Sequence, residues 1–596
     1  RQEFCASRAR RLYPEAVISD WTKRLLRLRL WLYRRLTLDE AQSTLLLAAL
    51  VGALGGLSSP LFHEALQLVT KLFTGTEGPL VAVARSLEPW QRAAVPILGS
   101  LVAGLVLHFG MRLTRHKAVD YMEAVALGDG VIRTKASLVR VVSSFFSIGS
   151  GTSIGREGPM VQLSALIASN IGRRMNLGEP RLRLLVACGA AAGISSAYHA
   201  PIGGALFVAE IVLGTIATGT FGPILIASVM GTLVARPFFG NEPIFHVPDF
   251  DMVSWWEFLP CAVVGVLCGF AAAPFRDSLA VARKRFGQLP VPLWAKVTLG
   301  GAVTGGVAWF MPDIWGNGYE SVATILSQNT YWLALVALLI LKWICTAAAV
   351  GSGAVGGIFT PTLLIGAIVG ALIGAPLHAW LPHDTGSAGA YALVGMGAFL
   401  SATTLAPFMA IVIPFEMTLD YDLVPALMVA CVAAWVTAKS QGAKSVYAHS
   451  IGEGERIDAR EVRRQRVESL MRRKTISIAA QANFTAVVDT FLQNRHRNLF
   501  VVAANGRFVG AIPLDAIRPW LEDRSAPPPM LAEELTLEGY PTLLLDDTLD
   551  TALDRFAGHP FERLPVLDEH GRLAGALYKT DVLLAFAGGA APVKTT

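Results

Sequence analysis

One glycine-rich stretch in an otherwise apolar region carries an adjacent arginine and glutamate. It runs from Gly149 to Pro159 and contains Arg156 and Glu157. Glycine lets the backbone approach a ligand closely, and proline is tolerated in the first turn of a helix, so the stretch predicts a loop that enters a helix N-terminus. Exposed N–H groups and the helix dipole attract anions there. A plain helix-packing turn is the alternative that this stretch alone leaves open.

A second copy of this pattern lies further along the chain, at Gly351–Pro361, and its proline again comes ten residues after the first glycine. The similarity continues downstream, because Pro201 is followed nine residues later by Glu210 and Pro407 is followed at the same distance by Glu416. Broken hydrophobic segments at matching positions in two halves are typical of transporters with a binding site at the repeat interface.

The elements around these loops must be helices in a membrane. The 596 residues are 53% hydrophobic and 16% charged, which is typical of a polytopic membrane protein with room for soluble parts. Glycine or proline interrupts many of the apolar segments between 37 and 450, and several are too short to cross a bilayer upright. We predict an all-α membrane domain of tilted and broken helices, with inverted repeats at about 37–240 and 250–450.

Charge sets the predicted orientation of this domain. Residues 1–36 form a basic arm with ten Lys or Arg against three acids, and 453–474 is also rich in arginine. Both segments flank apolar blocks, so the positive-inside rule predicts that both termini lie on the cytoplasmic side of the membrane. The same apolar blocks make nucleic-acid binding the weaker explanation of the basic arm. The cysteines lack metal-ligand spacing, and we expect no metal site.

The C-terminal part of the chain changes to a soluble α/β pattern. Residues 451–474 are predicted to be a linker, followed by two similar domains at 475–525 and 526–590. In the first, two short strands flank the turn Asn505–Gly506, and the arrangement recurs 65 residues later around His570–Gly571.

Three of these stretches together resemble a known family. Gly155–Pro159, Gly357–Pro361 and the tyrosine of Ala443–Tyr447 are similar to signature stretches of the CLC family of chloride channels and chloride/proton antiporters, of prokaryotic type. The similarity extends from about 40 to 450. The two C-terminal domains resemble cystathionine-β-synthase-type (CBS) domains and are called the CBS pair below. The resemblance implies a homodimer in lipid, with one chloride pathway per subunit.

The resemblance also implies a role for Glu157 as the gate. A carboxylate inside a bilayer costs about 2.5–3.5 kcal/mol on insertion scales and usually marks an ion path. Such a group can occupy the anion site itself and then swing away or be protonated. An ion pair with Arg156 is the alternative, although adjacent residues on a helix point apart.

The other anion ligands follow from the same resemblance. Backbone N–H groups of Ile358 and Phe359 and the phenol O–H of Tyr447 would contact the anion, and neutral donors suit conduction because the ion must also escape. For Tyr447 an interfacial aromatic anchor is the alternative. The remaining residues predicted at the anion site are Gly155, Arg156, Gly357 and Ala118.

Two departures from the family pattern bear on function. The family's first motif usually supplies a serine to the anion, whereas the matching stretch Lys117–Glu123 has no serine and places Ala118 nearest to that position. Proton-coupled members carry a glutamate after the Ala-Pro step, where this chain has Ile211, with Glu210 one residue earlier. Both are kept as proton-pathway candidates, although for Glu210, as for Glu416, a role at a helix end or in the dimer region is favoured.

The CBS pair allows for an adenine nucleotide, while no cofactor is expected to be required. Nucleotide-binding members usually have a Ser or Thr followed three residues later by an Asp that holds ribose. Here Asp581 is kept but Tyr578 takes the hydroxyl position, and Asp515 is the matching acid of the first domain. A dimerisation and trafficking module is the alternative.

These observations favour a passive, voltage- or pH-gated chloride channel, because an isoleucine cannot relay a proton. A chloride/proton antiporter is the alternative, and a membrane-tethered CBS sensor is a more distant one. We expect no enzymatic activity, since neither Ser150 nor Ser352 has a histidine at recurrent spacing to act as a base.

Overall fold

The computed structural model describes residues 40–114, 119–240, 242–245, 254–327, 331–448, 463–473, 475–493, 498–514, 516–517, 530–537, 539–559 and 561–586. The chain divides into two compact units, Arg1–Val446 and Tyr447–Thr596. The predicted basic arm 1–36, Ala118 and Asp515 lie outside the described residues.

Every named element in the described part of the first unit is helical. The α-helices are α1 Glu40–Gly56, α2 Ser58–Thr74, α3 Leu80–Ser86, α4 Pro89–Leu113, α5 Tyr121–Ala126, α6 Thr134–Gly149, α7 Glu157–Arg174, α8 Glu179–Tyr198, α9 Pro201–Phe207, α10 Thr218–Phe239, α11 Phe258–Gln288, α12 Leu293–Ala308, α13 Tyr319–Ser327, α14 Trp332–Gly351, α15 Phe359–Trp380, α16 Ala388–Thr404, α17 Pro407–Thr418 and α18 Val424–Ser440. A π-helical turn, Val208–Leu213, continues α9.

Six described helical segments are long and apolar enough to cross a membrane: Gln42–Thr74, Pro89–Leu113, Gly219–Phe239, Trp255–Gln288, Trp332–Gly351 and Phe359–Trp380. The remaining apolar helices are shorter, as the glycine and proline interruptions predict. The fold class is therefore confirmed for this unit: an all-α membrane domain of long and broken helices.

Two hydrophobic segments that the sequence presents as continuous are each two helices. The stretch 203–236 breaks at Gly214, which adopts the left-handed conformation (φ 71°) that ends the π-helical turn. The stretch 388–413 breaks at Leu405, which is also left-handed (φ 60°), before α17 begins at Pro407. Hydrophobicity alone does not report such a local change of backbone direction.

The two halves repeat the same local geometry around the glycine-rich loops. Helix α6 ends at Gly149 and α14 ends at Gly351, and two residues later Gly151 and Gly353 are left-handed, with φ of 88° and 89°. The next helices, α7 and α15, begin after equally long loops. Helix α16 is buried along its whole length, and α8 is buried from Leu185 to Tyr198. Helices that are apolar on all sides form the centre of this unit.

The second unit contains two similar three-stranded sheets. Their strands are β1 Ser477–Ala479, β2 Asn498–Val502, β3 Phe508–Pro513, β4 Leu543–Leu544, β5 Arg563–Leu567 and β6 Leu573–Tyr578, and the helices are α19 Phe484–Gln493, α20 Leu549–Ala557 and α21 Lys579–Phe586. In each sheet the first two strands are parallel and the last two are antiparallel. This confirms the predicted tandem α/β repeat.

The end of the predicted linker is part of the second sheet. Arg472 and Ala576 exchange two backbone hydrogen bonds of 2.9 and 3.0 Å, so this segment extends the edge of β6. Val467 and Leu470 are buried in the same hydrophobic core as β5 and β6.

The two CBS domains also contact each other through their turns, since Phe508 N–H donates to Gly571 O at 3.0 Å.

Candidate anion-binding site

The two glycine-rich loops, which are far apart in sequence, meet directly. Gly155 N–H donates to Gly357 O and Gly357 N–H donates to Gly155 O, each at 2.7 Å. This pair of hydrogen bonds is an antiparallel bridge between the two halves of the membrane domain. The bridge brings the starts of α7 and α15 together, as expected for a site at a repeat interface.

Glu157, the first residue of α7, extends its side chain from one half to the other. The residue is 4% exposed. Its Oε1 accepts a hydrogen bond from the hydroxyl of Thr360, in the first turn of α15. Its Oε2 is buried and has no hydrogen-bond partner among the described residues. A buried, half-satisfied carboxylate is costly, and it therefore marks a position where another ligand or another state is expected.

The glycines of the bridge leave room for this carboxylate. A Cβ atom added at Gly357 would lie 2.6 Å from Glu157 Oε2, and one at Gly155 would collide with the same oxygen. Neither glycine has a positive φ, so the requirement is close approach rather than backbone conformation. The Glu157 carboxylate thus occupies a space that only glycine leaves open.

Backbone N–H groups near the carboxylate divide into two sets. Those of Gly155 and Gly357 are used in the bridge. Ile358 is the N-cap residue of α15 and Phe359 is its first residue, where backbone N–H groups have no acceptor within the helix. The positive end of the helix dipole favours a negative charge there, whether it is a carboxylate or an anion. Anion contacts to these four residues stay predictions.

Arg156 has partners other than Glu157. Its Nη1 lies 3.5 Å from His63 Nδ1, and its guanidinium lies 5.4 Å from the centre of the Tyr319 ring. Within the described ranges, no ion pair joins Arg156 to Glu157. The alternative of an Arg156–Glu157 ion pair therefore has no support in the geometry, and a positive charge remains one residue from Glu157.

Two buried hydroxyl groups also lie at this site, and neither was predicted from the sequence. Thr360 Oγ1 lies 3.2 Å from the hydroxyl of Tyr198, the last residue of α8, and both residues are fully buried. The Tyr198 ring packs on Phe359, with 4.8 Å between the ring centres. Thr360 lies inside the second motif, so its hydroxyl could have been identified from the sequence. Tyr198 is 162 residues away along the chain, and only the fold brings it close to Thr360.

The two downstream glutamates cap each other's helices. Glu416 accepts from the N–H groups of Ile202 (3.0 Å) and Gly203 (2.7 Å), at the start of α9. Glu210 accepts from Phe408 (3.3 Å) and Met409 (2.6 Å), at the start of α17. Each carboxylate thus satisfies two N–H groups that have no acceptor in their own helix. This geometry agrees with the helix-end role that the sequence favoured for Glu210.

Three further residues predicted from the sequence remain: Ile211, Tyr447 and Ala118. Ile211 lies in the π-helical turn and is 7% exposed, so it is an apolar core residue. Tyr447 is buried and follows Val446, whose N–H donates to Thr403 O at 2.9 Å. A contact of Tyr447 with the anion stays a prediction, as does any role of Ala118, which lies outside the described residues.

In the CBS pair, the carboxylate expected to hold ribose already has a partner. Arg472 donates to both oxygens of Asp581, from Nε and Nη2, each at 3.0 Å. The Arg472 guanidinium also lies 4.5 Å from the centre of the Tyr578 ring. The hydrogen bonds to Asp581 raise the pKa of Arg472 above its ordinary value. A ribose at Asp581 would compete with this guanidinium for the carboxylate oxygens.

Comparison with known protein families agrees with this geometry. The model of the voltage gated chloride channel family matches residues 98–439, and the CBS domain model matches 467–523 and 532–588. The chain belongs to the CLC family. Among the described residues, no group of three His, Cys, Asp or Glu could hold a metal ion.

CLC relatives match this chain over nearly their whole length. A ClcB-like chloride channel protein of Ralstonia nicotianae is 46% identical over 412 residues, which are 68% of this chain and 96% of the relative. The voltage-gated ClC-type chloride channel ClcB of Salmonella typhimurium is 35% identical over 415 residues, or 69% of this chain and 99% of the relative. The predicted resemblance to a prokaryotic CLC protein with a CBS pair is thereby confirmed.

Solved CLC structures share the fold. A slow cyanobacterial Cl⁻/H⁺ antiporter superposes with a TM-score of 0.62 at 24% identity and covers 70% of this chain and 99% of its own. A eukaryotic CLC transporter gives a TM-score of 0.65 at 17% identity, with 90% of this chain and 97% of its own covered. At these identities the likeness supports the fold alone.

Proposed function

We propose that this protein conducts chloride across a bacterial inner membrane, through a pathway in each subunit of a homodimer that Glu157 gates. The buried Glu157 carboxylate carries this proposal. Glu157 belongs to α7 in the first half of the membrane domain, and its carboxylate lies at the N-terminus of α15 in the second half. Its Oε2 has no hydrogen-bond partner among the described residues. The ClcB relatives, which are named as chloride channels, support chloride as the anion.

The carboxylate acts as a tethered anion in this proposal. With Glu157 in place, its negative charge occupies the position that favours an anion, and chloride cannot enter. Protonation removes that charge, and rotation about the side-chain bonds moves the carboxylate away, so either event opens the position to chloride. The neutral N–H donors of Ile358 and Phe359 would then hold the ion without trapping it.

A passive channel is favoured over a chloride/proton antiporter. Proton coupling needs a second titratable group on the inner side, and Ile211 has no lone pair. Glu210, one residue earlier, already accepts two backbone hydrogen bonds at the start of α17. A proton relay through Glu210 would break these bonds in every cycle, which speaks against it as a carrier.

The remaining assignments follow from the same proposal. Both termini lie in the cytoplasm, lipid surrounds the membrane domain, and the CBS pair regulates or assembles the dimer. An adenine nucleotide is proposed as its ligand only in a state where Arg472 has left Asp581.

Chloride efflux from liposomes between pH 4 and pH 8 tests the gate. We expect efflux through the wild-type protein to depend on pH, and efflux through Glu157→Gln to be independent of pH. Glu179→Gln is the matched control, because Glu179 also opens a helix but is exposed. An unchanged pH profile in Glu157→Gln would remove Glu157 from the gate.

A further inference from the structure

A chain of three buried polar groups leads away from the Glu157 carboxylate. Thr360 Oγ1 donates to Glu157 Oε1, and the Tyr198 hydroxyl lies 3.2 Å from Thr360 Oγ1. The three residues are 4%, 1% and 0% exposed. Buried polar groups are costly unless they bond one another, so a chain of this kind is held for a specific interaction.

The proton positions in this chain follow from hydroxyl chemistry. A hydroxyl has a single hydrogen, and that of Thr360 points at the carboxylate. Thr360 can then only accept from Tyr198, so Tyr198 donates to Thr360 and Thr360 donates to Glu157. Both donors are neutral, and the chain ends on the negative charge.

Packing fixes these hydroxyl groups at the place where the anion would sit. Thr360 is the second residue of α15, next to Phe359. The Tyr198 ring is held against Phe359, with ring centres 4.8 Å apart, and against Tyr319 at 6.3 Å. When Glu157 leaves, the Thr360 hydroxyl loses its acceptor. A buried donor without an acceptor is unfavourable, so the vacated position favours a replacement acceptor such as chloride.

We propose that Thr360 and Tyr198 form a hydroxyl pair that binds whichever anion occupies the pathway. Thr360 donates to the Glu157 carboxylate when the gate is closed and to chloride when the carboxylate has left, and Tyr198 donates to Thr360 in both cases. The pair thereby supplies a neutral side-chain hydroxyl donor in a chain whose stretch Lys117–Glu123 contains no serine. This inference rests on the proposed function and specifies how the same site selects its ligand.

Chloride titration by calorimetry tests the pair in the Glu157→Gln background, where no carboxylate competes. Adding Thr360→Val, which keeps the shape and removes the hydroxyl, is expected to weaken chloride binding about tenfold, as for the loss of one hydrogen bond to a charged group. Adding Thr360→Ser, which keeps the hydroxyl, is expected to leave affinity within about twofold. Adding Tyr198→Phe is expected to weaken binding about threefold, since it removes only the group that orients Thr360.

The pH profile of flux gives a second readout that a merely structural role would not move. Because the Thr360 hydroxyl donates to the Glu157 carboxylate, Thr360→Val is expected to change the pH profile of flux, and Thr360→Ser is expected to restore the wild-type profile.

The outcomes separate this inference from the proposed function. If wild type conducts chloride under Glu157 control but Thr360→Val and Tyr198→Phe change neither affinity nor pH profile, the hydroxyl pair is refuted and the gate stands. If wild type shows no chloride flux, the proposed function itself fails. Elution as a single species in size-exclusion chromatography checks folding, and Tyr198→Phe alone decides the matter if Thr360→Val does not fold.

Discussion

Replacing Gly357 by alanine tests whether the carboxylate really occupies the space above the glycine bridge. The added Cβ would lie 2.6 Å from Glu157 Oε2, whereas ordinary van der Waals contact begins at 3.4 Å, so the carboxylate must move by about 0.8 Å. The Cβ would also lie 3.1 Å from Gly158 N, a backbone atom that yields less easily. The side chain is therefore expected to move rather than the bridge.

The two oxygens belong to one rigid carboxylate, so moving Oε2 also displaces Oε1 from the Thr360 hydroxyl, and the magnitude follows from that hydrogen bond. A hydrogen bond to a charged group contributes about 1.5–3 kcal/mol, so losing the Thr360–Glu157 bond should favour the open gate by about ten- to a hundredfold. If Glu157 is the gate as proposed, chloride efflux at neutral pH should rise accordingly and approach that of Glu157→Gln.

The assay is liposome efflux at pH 7.5, with thermal unfolding of the purified protein as the companion measurement. Gly306→Ala is the control, because a Cβ there meets nothing within 4 Å and alanine stabilises a helix by about 0.5–1 kcal/mol relative to glycine. Wild-type efflux and wild-type pH dependence in a folded Gly357→Ala protein would refute the placement of the carboxylate.

Three further predictions follow from other buried groups. Glu210→Gln and Glu416→Gln should each lower the melting temperature by a similar amount and leave chloride selectivity unchanged, because each carboxylate caps a helix of the other repeat. A loss of stability in only one of the two variants would contradict this reciprocal role. Lys342→Met should destabilise the protein by about 2–6 kcal/mol, because Lys342 Nζ donates to two buried carbonyls at 3.0 and 2.7 Å. An unchanged melting temperature would contradict this stabilising role of Lys342. Arg472→Ala should strengthen the binding of adenosine triphosphate to the full-length protein about tenfold, measured by calorimetry, because it frees Asp581. Equal affinities would show that Arg472 and the nucleotide do not compete for Asp581.

The main features of the site were predictable because glycine and proline report local geometry. The loops around Gly155 and Gly357 recur at one spacing, so the repeat and the helix starts could be read from sequence. The charge at Glu157 is conspicuous in an apolar region, and its cost in a membrane pointed to function. These inferences need only local rules.

Other features depend on contacts that no local rule specifies. The hydroxyl of Tyr198 reaches Thr360 across 162 residues, and Glu416 reaches Gly203 across 213 residues. The breaks at Gly214 and Leu405 lie inside continuous apolar sequence, and hydropathy does not report a change of backbone direction. The partner of Asp581 was also not foreseeable, because Arg472 belongs to a segment that composition assigns to a linker.

Chloride-driven proton movement tests the central claim most directly. Liposomes containing the protein and high internal chloride are diluted into low chloride, while external chloride and pH are recorded together for wild type and Glu157→Gln. We predict chloride efflux in both, without stoichiometric proton uptake, and pH-dependent efflux only in wild type. A robust uphill proton signal in wild type that a protonophore and Glu157→Gln both abolish would contradict the channel, and absence of chloride efflux from wild type would contradict the anion pathway as a whole.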